Sequence, residues 1–160
     1  HPMYRRQRQM CIRDSGKCVE PLIRTMQVSS LVSLISKERA IREKLVELQR
    51  SIGKNSGVVM DGRDIGSVVF PDAEVKFWVT ADMKVRAKRR YDEILNNGGA
   101  VDFNEVLKNL KNRDFEDSNR SISPLIRPSK SILVDNSNLT IGQTLEFTMN
   151  IINSYLEKNS

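Results

Sequence analysis

The sequence predicts an α/β fold in which helices flank a parallel sheet. Three short apolar runs have the length and composition of buried strands, at 57–61, 75–80 and 131–135. Stretches with apolar residues at helical spacing lie before, between and after these runs. Strands that alternate with helices in this way are typical of a parallel sheet. A chain of 160 residues, 39% of them hydrophobic, is long enough to bury one core, so we expect one domain.

The first half of the chain predicts two helices followed by a strand. Apolar residues recur every three or four positions over 25–51, and a polar break at 36–38 divides this stretch into two helices. The glycine- and polar-rich segment 53–57 predicts a loop. The apolar run Val58-Val59-Met60 then predicts a buried strand at 57–61.

The second half predicts two more strands and three helices. The strand at 75–80 ends in Thr80, which we expect to cap a helix that runs to about Leu95. Asn96-Asn97-Gly98-Gly99 then stops that helix. A further helix, a third strand and a closing helix follow, at about 103–117, at 131–135 and after Thr140.

The stretch 61–72 reads Asp-Gly-Arg-Asp-Ile-Gly-Ser-Val-Val-Phe-Pro-Asp and is the most informative part of the sequence. Arg63 and Asp64 follow the predicted strand at 57–61, and binding sites on parallel sheets lie at such strand ends. The Arg63 guanidinium suits a phosphate, and Asp64 can accept from a ligand amine or hydroxyl. The tetrapeptide Asp61-Gly62-Arg63-Asp64 alone leaves two interpretations open: a ligand site, or an Arg–Asp pair that ties a loop down.

The net charge of +6 is distributed unevenly. Residues 1–15 contain four arginines and one aspartate and show neither helical nor strand periodicity. We interpret 1–15 as a non-native or disordered tail, fused where the natural upstream sequence should continue, and 16–160 as the domain proper. The alternative is a functional basic arm that binds nucleic acid.

Composition excludes several other classes. No apolar run approaches the roughly 18 residues of a membrane span, and the basic N-terminus lacks the apolar region of a signal peptide. Cys11, Cys18 and His1 do not make a metal site. Free thiols are expected in a reducing cytosol, so we predict a cytoplasmic protein with no membrane partner.

Several separate motifs occur in one order at matching spacings, and together they resemble the bacterial cytidylate (CMP/dCMP) kinases. The matching segments are Ile23-Arg24-Thr25, Ser33, Ile41-Arg42-Glu43, the stretch from Met60 to Ala73, Val85-Arg-Ala-Lys-Arg-Arg-Tyr91 and Arg113-Asp-Phe-Glu-Asp-Ser-Asn-Arg-Ser-Ile-Ser-Pro-Leu125. The resemblance covers 16–160 and implies the fold of the P-loop nucleoside-monophosphate kinases. It also implies phosphoryl transfer from ATP to CMP or dCMP with Mg²⁺, by a protein that we expect to be a monomer.

One family feature does not occur in this sequence. The family has a strand and a phosphate-binding loop of the form G-x-x-x-x-G-K-[ST], and no segment of the 160 residues has this pattern. Gly16-Lys17 is followed by Cys18 and has no glycine five residues earlier. The resemblance therefore implies a truncated kinase without its first, central strand, and we expect this chain to be inactive by itself. The sequence offers no cofactor-binding residue for ATP and no Mg²⁺ ligand.

The resemblance also implies which residues bind CMP. Ser33, Arg42 and Asp64 would surround the cytosine ring, whose exocyclic amine can donate a hydrogen bond to an ionised Asp64. Uracil carries a carbonyl at that position, so the same carboxylate would repel it. Asp117 would bind the sugar hydroxyls. The phosphate would be held by three arginines with a catalytic role, one after the strand and two in a lid at about 113–128: Arg63, Arg113 and Arg120.

Structural interpretations remain open for these and other charged residues. Arg113, Asp117 and Arg120 are spaced to share one helical face, and a surface ladder of ion pairs would have the same spacing. A basic cluster on the preceding helix is either a solvated face or part of the nucleotide site: Arg86, Lys88, Arg89 and Arg90. The alternative function is a non-catalytic domain that binds nucleotides or nucleic acid through its basic cleft. Aromatic residues are sparse, at 6%, so base stacking on nucleic acid has little support.

Overall fold

The computed structural model describes residues 13–14, 17–23, 25–54 and 57–159. Its elements in chain order are β1 (Arg13–Asp14), β2 (Lys17–Cys18), α1 (Glu20–Ile23), α2 (Met26–Ile35), α3 (Arg39–Gly53), a π-helical turn (Ile65–Val69), β3 (Phe77–Thr80), α4 (Met83–Asn96), α5 (Phe103–Asn119), β4 (Ile132–Asp135) and α6 (Ile141–Asn159). Residues 1–12 and 15 of the proposed tail lie outside the described residues. The short β1 pairs with β2 in antiparallel fashion.

The predicted pair of helices is confirmed. α2 and α3 cover the stretch predicted at 25–51, and they are separated by a turn at 36–38. The polar sequence of that turn interrupts the apolar periodicity, and Glu38 adopts extended backbone angles that begin α3. Arg50 on α3 donates to the carbonyls of Val68 and Val69, which attaches this helix to the π-helical turn.

The sheet formed by β3 and β4 is parallel, as predicted, and is separate from the antiparallel β1–β2 pair. β3 pairs with β4 along its whole length, from Phe77 opposite Ile132 to Thr80 opposite Asp135. α4 packs on α5, and the buried apolar side chains come from the turn, the residue after β3, both helices and β4: Val69, Ala81, Ala87, Val106 and Val134. This small core holds α5 in place, and α5 carries Arg113 and Asp117 of the predicted site.

The strand predicted at 57–61 is not formed in the structure. Residues 57–61 have no strand pairing, and Val59 is fully exposed. A strand needs a neighbour for its backbone groups, and none of the described strands pairs with this segment. The apolar run alone could not reveal which partner would be present.

The helix caps were predicted in part. Thr140 caps α6, since its Oγ1 accepts from the backbone N–H of Gln143 and its own N–H donates to Oε1 of Gln143. Thr80, however, does not cap α4, because it is the last residue of β3. Asp82 caps α4 instead, accepting from the N–H groups of Lys84 and Val85. The chain needs two further residues to leave the strand before the helix begins.

The predicted lid at 113–128 is half helix and half loop. α5 extends to Asn119, and the loop then folds back, so that the N–H of Leu125 donates to the Asp117 carbonyl at 2.7 Å. Ser123 in this loop is buried and has a φ of 50°, a left-handed conformation that is uncommon for a residue other than glycine. Backbone strain of this kind persists where surrounding contacts hold it.

Replacing Gly53 by alanine is expected to destabilise the fold by about 1–3 kcal/mol, as overpacking typically does. A Cβ at Gly53 would lie 2.6 Å from Cζ of Phe70, so the aromatic ring or the end of α3 must move. Urea unfolding of Gly53→Ala measures the loss. Gly57→Ala is the matched control, because a Cβ at Gly57 would meet nothing within 4 Å. Equal stability of the two variants would contradict the packing argument.

Across the part of the chain that the structure describes, no helix combines the length and the apolarity needed to cross a bilayer.

Candidate functional site

Asp64 and Arg42 form the first half of the site. Asp64 follows the 57–61 segment and precedes the π-helical turn, whose amides at Val68 and Val69 donate to the Asp64 carbonyl. Oδ2 of Asp64 accepts from Nη1 of Arg42 at 2.6 Å, and both side chains are largely buried. Nε of Arg42 donates to the Ser36 carbonyl at 3.0 Å. The turn after α2 therefore orients Arg42 towards Asp64.

Asp117 and Arg120 form the second half. Asp117 lies on α5 and contacts Nε of Arg63 as an ion pair through Oδ2, and Nη1 of Arg120 through Oδ1, the latter at 3.2 Å. Arg120 is the first residue beyond α5 and has an extended backbone, so the predicted helical face ends at Asn119. The Arg120 side chain nevertheless reaches back to Asp117 on the helix, while its Nε donates to the Ser123 carbonyl in the following loop.

Arg120 joins the two halves. Its Nη2 lies 3.9 Å from Oδ2 of Asp64, which is an ion-pair distance but not a hydrogen bond. This nitrogen is buried and has no hydrogen-bond partner among the described residues. The Arg120 side chain is only 5% exposed. Its Nε and Nη1 have acceptors, but Nη2 is a buried donor without one among the described residues. Such a group is costly unless a ligand supplies the acceptor.

Arg113 completes the cluster from α5. Burial lowers the pKa of Arg113, and the positive charge of Arg63 lowers it further, while Asp117 acts in the opposite direction. Burial is also the main cause that lowers the pKa of Arg120, followed by the charge of Arg42. Arginine side chains are not deprotonated in proteins, so both guanidinium groups are cationic. The lowered pKa values show that burial and neighbouring positive charges disfavour the cationic form of these side chains. An anion bound beside them would offset this cost.

Four arginines and two aspartates thus meet, which leaves a formal charge of +2. Arg42 comes from α3 and Arg63 from the segment 61–64 before the π-helical turn. Arg113 lies on α5, and Arg120 directly follows it. Six of the seven predicted residues are brought together in this way: Arg42, Arg63, Asp64, Arg113, Asp117 and Arg120. The seventh, Ser33, lies on α2, and its role stays a prediction.

The basic cluster on α4 is mostly structural. Arg86 donates to the Ala81 carbonyl and pairs with Asp114 at 2.7 Å, and Arg89 donates to the carbonyls of Asn136 and Leu139. Lys88 pairs with Asp92, and Arg90 pairs with Glu93. Arg90 differs from the others, because its charge contributes to the lowered pKa of Arg113.

Sequence reasoning missed three contacts that shape the site. These are the Ser36 carbonyl that accepts from Arg42, the Ser123 carbonyl that accepts from Arg120, and the ion pair between Lys37 and Glu116. A backbone carbonyl leaves no mark on the sequence. The Lys37–Glu116 pair joins residues far apart in the chain, so no local pattern could indicate it.

A cavity of about 220 Å³ lies beside Arg120, between the 36–38 turn and the end of α5. Its lining contains basic, acidic, polar and apolar side chains: Lys37, Phe115, Glu116, Asn119, Arg120, Ser121 and Ile122. Arg120 is the residue of the Arg–Asp cluster that lines this cavity, so the cavity adjoins the cluster at Arg120.

Comparison with known proteins identifies the family. The sequence profile described as Cytidylate kinase matches residues 3–154. A protein named cytidylate kinase from Flavobacterium psychrophilum is 45% identical over 146 residues, which are 91% of this chain and 64% of that protein. One from Bacteroides fragilis is 50% identical over 135 residues, 84% of this chain and 59% of the relative. One from Desulforamulus reducens is 43% identical over 152 residues.

The chain spans about 59–64% of the length of the first two of these relatives. The family match extends through both halves of the site, from the α2–α3 pair to the lid loop, and includes β3 and β4. The parallel sheet flanked by helices agrees with the fold expected for P-loop nucleoside-monophosphate kinases. The chain belongs to the cytidylate kinase family.

Proposed function

We propose that the Arg–Asp cluster is the acceptor site of a (d)CMP kinase, and that the whole protein transfers the γ-phosphoryl group of ATP to CMP or dCMP. The observation that carries the proposal is the convergence of Arg42, Arg63 and Arg120 on two buried aspartates. Arg113 lies close enough for its charge to interact with those of Arg63 and Asp117. The family membership supports the same reaction. A cytoplasmic location and a monomeric state remain predictions from the sequence.

The cluster suits a nucleoside monophosphate because of its charge. A phosphate monoester carries about −1.5 to −2 charges at pH 7, and the cluster carries a formal +2. Arg63, Arg113 and Arg120 would hold the phosphate, and Nη2 of Arg120 is a buried donor that a phosphate oxygen would satisfy. During transfer the same arginines would neutralise charge that spreads over the equatorial oxygens.

The base would be read by the first half of the site. Asp64 has one carboxylate oxygen bonded to Arg42 and would offer acceptor capacity to the cytosine amine. Arg42 and Ser33 would donate to the acceptor atoms of the ring. Asp117 would bind the sugar hydroxyls, in competition with its present partners Arg63 and Arg120. Nucleotide binding would therefore exchange ion pairs within the cluster rather than fill an open pocket.

The donor side does not fit ATP and Mg²⁺ in the described residues. No group of three or more histidine, cysteine, aspartate or glutamate side chains there is arranged to hold a metal ion. The G-x-x-x-x-G-K-[ST] pattern that would cradle the donor phosphates does not occur in the 160 residues. We therefore assign this chain the acceptor side of the reaction, with ATP and Mg²⁺ held elsewhere in the whole protein.

Replacing Asp64 by asparagine is expected to reduce the preference for CMP over UMP by about tenfold to a hundredfold. The amide can donate to the uracil carbonyl, which the carboxylate repels, and it no longer favours the cytosine amine as strongly. Isothermal titration of the chain with CMP and with UMP measures the preference. Circular dichroism establishes that the variant is folded, since Asp64→Asn also weakens the pair with Arg42.

The matched control is Asp92→Asn, which removes a carboxylate from an exposed pair with Lys88 on α4. This control should retain the preference for CMP. Equal affinities of the parent chain for CMP and UMP would contradict the proposed site. Affinity that falls steeply with salt and shows no base preference would instead favour nucleic-acid binding.

A further inference from the structure

We infer that Lys37 and Glu116 are positioning residues for base recognition, a role that rests on the proposed CMP site. Lys37 lies in the turn between α2 and α3, and Glu116 lies on α5 next to Asp117. Their ion pair ties this turn to α5 at the cavity beside Arg120, in addition to the packing of α2 on α5.

The effect of the pair reaches Asp64 through one intermediate side chain. The turn held by Lys37 includes Ser36, whose carbonyl accepts from Nε of Arg42. Nη1 of Arg42 donates to Oδ2 of Asp64, so the position of the turn sets the position of the guanidinium that orients Asp64. A displacement of the turn would be transmitted to the carboxylate that distinguishes an amine from a carbonyl.

Consecutive residues of α5 thereby hold both halves of the site. Glu116 holds the turn that orients Arg42, and Asp117 holds Arg63 and Arg120. Arg120 in turn approaches Asp64 at 3.9 Å, which closes a ring of contacts around the base-reading carboxylate. The base and phosphate halves are coupled because one helix supports both.

The size of the effect follows from exposure. The Lys37 and Glu116 side chains are 44% and 41% exposed, so the pair is screened by solvent. Exposed pairs are worth little to stability, and a twofold to fivefold change in nucleotide preference is the scale expected. The global stability of the fold should hardly change, which separates positioning from a general structural role.

The test measures CMP and UMP affinities for Glu116→Gln and for the charge-reversed double variant Lys37→Glu with Glu116→Lys. Glu116→Gln should lower the preference for CMP about twofold to fivefold, and the double variant should restore it. Increasing salt should lower the preference of the parent chain and leave that of Glu116→Gln unchanged. Asp92→Asn, which removes a comparably exposed pair on α4, should have no effect.

A measurement in the absence of nucleotide tests the positioning role of Lys37 and Glu116 independently of the proposed CMP site. The Nε–H signal of Arg42 in a ¹H–¹⁵N spectrum, assigned by its loss in Arg42→Lys, should exchange with water faster in Glu116→Gln. Failure of the parent chain to prefer CMP would overturn the proposed function and leave the exchange rate to decide the positioning role. An unchanged exchange rate, or a double variant that fails to restore it, would overturn the positioning role itself.

Discussion

The 160-residue chain is expected to form CDP from ATP and CMP at least about 10⁴-fold more slowly than an intact kinase. Each preorganised donor to the transferred phosphoryl group is worth roughly 3–4 kcal/mol of transition-state stabilisation, and a phosphate-binding loop supplies several. The sequence contains no such loop, while the acceptor cluster is assembled. A coupled assay for CDP with purified protein measures the rate.

Two controls make the result specific. Titration with CMP should still show binding, because the acceptor residues are all present. Joining 16–160 to an amino-terminal segment that carries the G-x-x-x-x-G-K-[ST] loop of a family member should raise the rate by orders of magnitude. Turnover by the 160-residue chain at ordinary kinase rates would contradict the prediction, and a chimera that binds both nucleotides without turnover would contradict the proposed reaction.

Replacing Asp117 by asparagine is expected to destabilise the fold by about 3 kcal/mol. Asp117 and Arg120 have side chains only 7% and 5% exposed, and the same carboxylate contacts Arg63. Removing its charge leaves these cations with Asp64 as the one acidic side chain of the cluster, and breaking a buried pair costs far more than the pair contributes in net terms. Urea unfolding followed by circular dichroism measures the change.

Glu47→Gln is the matched control for this prediction, since it removes the carboxylate of an exposed pair with Lys44. The control should be about as stable as the parent chain, because an exposed ion pair contributes little to stability. Sulfate should stabilise Asp117→Asn more than it stabilises the parent chain, because the formal charge of the cluster rises from +2 to +3 in the variant. An Asp117→Asn variant as stable as the control, with no sulfate dependence, would show that the Asp117 charge does not stabilise the fold by pairing with Arg63 and Arg120.

Local patterns in the sequence were sufficient for most of the fold. The two helices around the 36–38 turn, the strand at 132–135 and the cap at Thr140 follow from periodicity, apolar runs and a capping box. Each of these signals lies within a few residues of the element it predicts. The strand at 57–61 was predicted wrongly for the opposite reason, since strand formation depends on a neighbour that the run itself cannot specify.

The amino-acid sequence by itself determined the family, the α/β class and the candidate residues, because motif order and side-chain chemistry are written along the chain. Tertiary structure decided how those residues meet. It showed that Arg120 lies beyond α5 yet returns to Asp117, that Ser36 orients Arg42, and that Lys37 reaches Glu116. Contacts between distant residues depend on how helices pack, and packing is a property of the whole fold rather than of any segment.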